Sequence, residues 1–536
     1  MKAIQNFCER YGWVMMGFTL LYTFSLSLLY SADMSNHDYL YYMHLAENGD
    51  YSSEPLIAGT ILLTQPILAI LGHHLYLWKI GAWVINCITA LIPFFALLNK
   101  EQRKKYAYIM VIVLFVFNWR FGLEPPKYVY LLNTIMLTCF IKYLEDNKYG
   151  WTVGISILLA LIAFVRFPSF LIWPVVVLSM LLLKRNIKHT LTVIVLPLLL
   201  FLWFISITNG SVELYFSDIS NYMNESTSED HSLLVIFLSE VQTTVNAFAY
   251  TFILCAPLVF FTLLKVKQTL VYRVLFALAS LIAIAIIFIH PSGRLCSCAL
   301  CMTVGLIYCN CNGWTMKNIV MVSTLLITMM FASTGSNCGF IHDYLVGCFI
   351  PFLVANTPAL KENKQCQNEH NIIHAVNNGV LTSIFATLSL IIIVSLYVSG
   401  FKGIKEKYYK DSNWSFCNAE VVSHNLDNIF MCQEECESLT RFQKEYNNYS
   451  KSSKDVIFWG GGAHIMSFAN DRWPVTNIWN ITSKNKDAKA FKDFKNYIMS
   501  NKPIVIDTEK HLNTESFLIS LGYTKTAKDG YSVYEP

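Results

Sequence analysis

Apolar runs long enough to cross a bilayer recur from Trp13 almost to Gly400, and no soluble core of this size buries so many. The chain is 54% hydrophobic and only 14% charged, with a mean hydropathy of +0.43, which excludes an ordinary soluble protein. The run from Trp13 to Ser31 has no Ala-x-Ala cleavage pattern after it and reads as a retained first span. Further runs lie near 79–98, 106–119, 128–144, 151–166, 168–184, 189–207, 243–264, 273–290, 295–312, 318–334, 341–357 and 376–399. The expected class is an α-helical polytopic membrane protein with about 13 transmembrane helices.

Lys and Arg collect on the cytoplasmic side of short loops. Lys100 to Lys105, Lys184 to Lys188, Lys265 to Arg273, and Lys361 with Lys364 all become cytoplasmic if residues 56–72, which contain Pro66, form a helix at the outer surface that does not cross. The amino terminus is then cytoplasmic and the carboxyl terminus outside, in a multi-pass plasma membrane or its bacterial inner equivalent. Two domains follow: residues 1–399 in the membrane, with an outer loop at 32–78, and an extracytoplasmic domain at 400–536. In the latter, Asp455 to Trp459, Pro503 to Asp507 and Tyr531 to Tyr534 read as strands and Glu515 to Leu521 as a helix, giving a small α/β fold. The segment from about 208 to 242 reads as a second long outer loop, either a lid or a solvated connection.

A formal net charge of +4, without interleaved basic and aromatic runs, speaks against nucleic acid as a partner. The fifteen cysteines are mostly scattered inside apolar runs as packing groups. Cys417, Cys432 and Cys436 fall in the outer domain, where at most one bridge can form among them.

Ionisable groups gather at the outer helix ends. The first outer loop carries Asp33, Asp38, His44 and Glu47, and on a helix Asp38, Tyr42 and Ala46 share one face. A carboxylate held there can serve as a general base, or Asp38 with Ser35 can simply cap a helix. Arg120, Arg166 and Arg294 stand at outer ends against the inside bias, with Lys127 near the first, and the Arg fork suits phosphate oxygens. Glu124 and Tyr128 flank Pro125 and Pro126 in a turn that would hold them at the bundle mouth; His290 lies in another outer turn, before Arg294.

These pieces resemble the polytopic lipid-linked sugar transferases of the GT-C class, in particular bacterial relatives of the protein mannosyltransferases and of the aminoarabinose transferase that modifies lipid A. Three stretches carry the resemblance: Asp38 to Tyr51 followed by Pro55 and Pro66; Leu158 to Pro174 with Arg166-Phe167-Pro168; and Asp455 to Gly460 with Asn470 to Pro474. The family often places a second acid beside the first; here Tyr39 follows Asp38, which leaves Asp33 or Glu124 as the substitute and the use of a divalent metal open.

The resemblance implies inverting transfer of a sugar from a polyprenyl phosphate donor to a lipid, glycan or protein acceptor at the outer face. Asp38 would act as base, with Arg166, Arg294 and Arg120 at the departing phosphate and Lys127, Tyr128, Tyr42 and His290 lining the site. A transporter or flippase, and a polysaccharide polymerase for lipid-linked glycans, are the rival readings. The former would favour mid-span charges and repeated halves, neither of which the sequence has.

Overall fold

The computed structural model describes residues 2–29, 38–117, 123–183, 186–225, 314–332, 417–431, 433–451, 455–459, 463–473, 489–508, 512–528 and 530–536, with scattered helical positions, one to three residues at a time, between 238 and 353. In chain order the helices are Lys2–Leu29 (α1), Asp38–Asn48 (α2), Ala58–Leu71 (α3), Leu75–Leu97 (α4), Lys100–Phe117 (α5), Pro125–Asp146 (α6), Tyr149–Val165 (α7), Ile172–Leu182 (α8), Ile187–Asn209 (α9), Val212–Glu225 (α10) and Met316–Phe331 (α11). The carboxyl-terminal part adds Gln433–Ser450 (α12), Ala463–Asn470 (α13), Lys489–Asn501 (α14) and Leu512–Ser520 (α15). The protein is predominantly helical with a small sheet.

Two described helices, α4 and α9, are long and apolar enough to cross a membrane. Each has 23 residues, about 35 Å of helix. Helices α1, α5, α6, α7, α8 and α11 occupy the other apolar runs between residues 13 and 334 that fall within the described residues. The runs at 243–264, 273–290, 295–312, 341–357 and 376–399 lie outside them, apart from isolated positions. Helix α3 has 14 residues, about 21 Å, which is short of the roughly 30 Å hydrocarbon layer.

Local chemistry sets the helix ends. Asn186 and Thr315 cap α9 and α11 by accepting from the backbone N–H of Lys188 and Asn318. Pro125 and Pro126 open α6, where a missing N–H costs nothing, and Asn147 closes it in a left-handed turn at φ 55°. Pairs α1–α5, α4–α6, α6–α7, α7–α9 and α8–α11 pack together. Buried hydroxyls stitch the bundle: Ser179 meets Thr324 at 2.6 Å, and Asn133 donates to the Tyr344 hydroxyl at 2.9 Å.

The outer segment expected as a loop from 208 is helical instead from Val212 to Glu225. Tyr215 and Ile219, one turn apart, are buried against Phe164, Phe201 and Ile205, so an apolar stripe holds α10 on the bundle.

In the carboxyl-terminal part, strands Val456–Trp459 (β3), Ile504–Asp507 (β4), Thr524–Ala527 (β5) and Ser532–Glu535 (β6) form a sheet in the order β3-β4-β6-β5, preceded by a two-residue pairing of Cys417–Asn418 (β1) with Phe430–Met431 (β2). Strands β3 and β4 are parallel, with Val456 opposite Ile504; the other pairings are antiparallel. Alternate residues serve two cores. Val456 and Phe458 pack with α12 and α13, while Ile457 and Trp459 pack with Phe494 and Ile498 of α14. Both faces being covered, β3 and β4 read as continuous apolar runs. Cys436, on α12, is disulfide-bonded.

Candidate functional site

The segment expected as the first outer loop folds as α2 followed by α3, and α3 is the clamp that positions it. At Gly59 an added Cβ would lie 2.6 Å from the backbone of Phe164 and Val165, so α3 touches the end of α7 backbone to backbone. One residue on, the Thr60 hydroxyl donates to the Val165 carbonyl at 2.9 Å; one turn further, Thr64 meets the Tyr128 hydroxyl at 3.4 Å. One face of α3 thus ties the start of α6 to the end of α7.

Arg166 follows directly, in an extended link between α7 and the short 3-10 turn Phe167–Leu171, because Pro168 cannot continue the helical ladder. Gln65 holds α2 by donating to the Ala46 carbonyl and accepting from the Tyr51 hydroxyl.

Charged groups collect at this end of the bundle. Asp38 is the first residue of α2. Its neighbour Tyr39 is buried, and burial first, then the Glu124 charge, pushes its hydroxyl well above the usual range. Glu124 is the residue before the two prolines of α6. Lys127 and Arg166 are 5% and 6% exposed, which places two cations out of bulk water on elements that α3 joins. Tyr42 packs partly buried between α2 and the main core. Of the residues expected at the site, then, Glu124, Lys127, Tyr128, Arg166 and Tyr42 come to one end of the bundle with the start of α2. Asp33, Arg120, His290 and Arg294 lie outside the described residues.

A second concentration of polar groups lies where α2 meets the carboxyl-terminal part. Helix α13 ends in a left-handed turn at Asp471, φ 50°, with Arg472 N–H bonded to Ser467 O at 2.9 Å and Asp471 N–H to Phe468 O at 3.4 Å. That turn delivers Asp471, Arg472 and Trp473 to α2, where Trp473 stacks on His44 at 4.9 Å between centroids. Between them opens a cleft whose larger lobe is about 400 Å³, joined by a smaller one of about 140 Å³.

Glu47 reaches His73 at 3.3 Å, and Arg472 lies 3.9 Å from Asp455. Burial lowers the His44 pKa, against the opposing pull of Asp471, Glu47 and Asp50. Behind Trp473, His464 is held neutral by burial, its pKa down to about 4.

His44, Glu47 and the Asn470 to Pro474 turn were visible in the sequence as loop groups and as a motif, but nothing local marks them as partners across 400 residues. Among the described residues, no three His, Cys, Asp or Glu side chains converge as a metal site. No known family model matches the chain, and no curated protein matches it either.

Proposed function

We propose that the chain is a membrane glycosyltransferase of about 13 spans that moves a sugar from a polyprenyl phosphate donor to an acceptor at the outer face of the membrane. The observation that carries the reading is the convergence at one end of the bundle: Asp38 opens α2, Glu124 acts electrostatically on the adjoining Tyr39, and the buried cations Lys127 and Arg166 sit on elements joined through α3.

In this reading Asp38 takes the proton of the acceptor hydroxyl as its oxygen attacks the anomeric carbon. The bond from that carbon to the phosphate oxygen breaks, with inversion, and the phosphate leaves on its lipid. Arg166 and Lys127 offset the negative charge growing on the leaving phosphate, with Arg294 and Arg120 as further candidates. Glu124 is the substitute for the family's second acid, a carboxylate that could orient the acceptor hydroxyl. A donor that arrives in the bilayer makes a nucleotide-binding domain unnecessary.

The test is release of polyprenyl phosphate from a panel of lipid-linked sugars by the purified protein, with Asp38→Asn and with chelator. Loss of turnover in Asp38→Asn with donor binding retained supports Asp38 as base. No turnover by the unaltered protein on any donor sinks the reading in favour of a transporter.

A further inference from the structure

The cleft between α2 and the α13 turn takes no part in the chemistry just described, yet it is built like a binding site. Its larger lobe, about 400 Å³, falls in the range that holds a small ligand. One wall is the stacked pair Trp473 and His44. The remaining lining is rich in acceptors: among the described residues the Asp471 carboxylate makes no hydrogen bond, and Glu47 uses only one of its oxygens, toward His73. Asn425 spends its amide N–H on the Phe468 carbonyl, leaving its oxygen.

A ligand rich in O–H or N–H donors, with C–H groups to pack against the part of the stacked pair that lines the cleft, matches this lining. Charge narrows the class. Glu47, Asp455 and Asp471 outweigh Arg472, which itself faces Asp455, so a phosphate, nucleotide or acidic sugar is repelled.

We infer that this cleft binds a neutral or amino-bearing saccharide, held by Trp473, His44, Asp471 and Glu47. His44 and Glu47 lie six and nine residues along α2 from Asp38, about 9 to 14 Å of helix. Resting on the reading of Asp38 as base, the bound saccharide is the body of the acceptor, gripped by the outer domain while its terminal hydroxyl reaches the mouth of the bundle. The acceptor is then a glycan, with the cleft selecting it and α2 acting as the ruler between grip and chemistry.

The experiment is calorimetric titration of the full chain, in a polyoxyethylene detergent that carries no sugar headgroup, with maltotriose, chitotriose, de-N-acetylated chitotriose and a pentalysine peptide. The expected result is binding of at least one trisaccharide, weakened about tenfold or more in Asp471→Asn, Glu47→Gln and Trp473→Ala. Asp471→Asn keeps a side chain that tolerates the left-handed turn, so its folding, checked by thermal unfolding, does not confuse the outcome.

In parallel, Asp38→Asn should lose release of polyprenyl phosphate to water and keep the saccharide. No trisaccharide bound, equal affinity in all three cleft variants, or tighter binding of pentalysine overturns the inference. Saccharide binding that responds to the variants in a protein without donor turnover leaves the cleft standing and removes the glycosyltransferase reading alone.

Discussion

Asp471 stands at φ 50°, a conformation that costs most side chains about 1 to 2 kcal/mol and glycine almost nothing. Replacing it with Gly should leave thermal stability within a few tenths of a kcal/mol, whereas Val should lower it by about 1 to 2 kcal/mol. Equal melting of the two variants would show that the turn is not strained. His464 supplies a pH signature at the same interface. Its pKa falls from 6.5 in water to about 4 in the fold, so the unfolded chain binds the extra proton first. Stability from this group is therefore complete above about pH 6.5 and is lost as the pH drops toward 4, by at most ~3 kcal/mol. Thermal unfolding from pH 7.5 to 4 should show a fall that His464→Phe flattens, and a parallel fall in the variant would assign it to other groups. The motif around Asp471 was legible in the sequence as a short turn. Its meeting with His44 was not, because a ring stack between an early helix and a late turn depends on how two parts of the fold dock.

Among the elements, α3 has the most to position and the least room to do it. With Phe164 and Val165 backbone 2.6 Å from the place of a Cβ, Gly59→Ala must push α3 off the end of α7. The cost should be about 1 to 3 kcal/mol of stability, with the Thr60 and Thr64 contacts loosened and donor turnover reduced more than donor binding. A Gly59→Ala protein with unaltered turnover and melting would mean that the two helices can separate freely. Elements with a strong local signature were readable from the sequence: Val456 to Trp459 and Ile504 to Asp507 are apolar strands of the expected extent because both their faces are covered. Strand β5, Thr-Lys-Thr-Ala, gave no such signal, since it is a mostly exposed edge whose Lys525 pairs with Glu515 instead of entering a core. Helix α10 was hidden for another reason. Its acidic residues look like loop chemistry, while Tyr215 and Ile219, which hold it down, show their meaning only against α9.

At the scale of the whole molecule the decisive question is which side of the membrane each part faces. The charge distribution of the short loops predicts that residues 32–78 and 400–536 lie together outside, and the direct packing of α13 on α2 requires that these two parts share a side, whichever it is. The disulfide at Cys436 favours the oxidising side, since such bonds are rare in a reducing cytoplasm. Lys451, exposed at the end of α12, and Lys105, exposed on α5, should therefore lie on opposite sides. In intact cells a membrane-impermeant maleimide should label Lys451→Cys beyond the level of the unaltered protein, and should label Lys105→Cys only after permeabilisation. If instead Lys105→Cys labels in intact cells and Lys451→Cys only after permeabilisation, residues 56–72 cross the membrane after all, since one added span inverts every later segment. The Lys100 to Lys105 cluster would then face outward, and residues 400–536 would lose the common side with α2 that the cleft and the proposed base require.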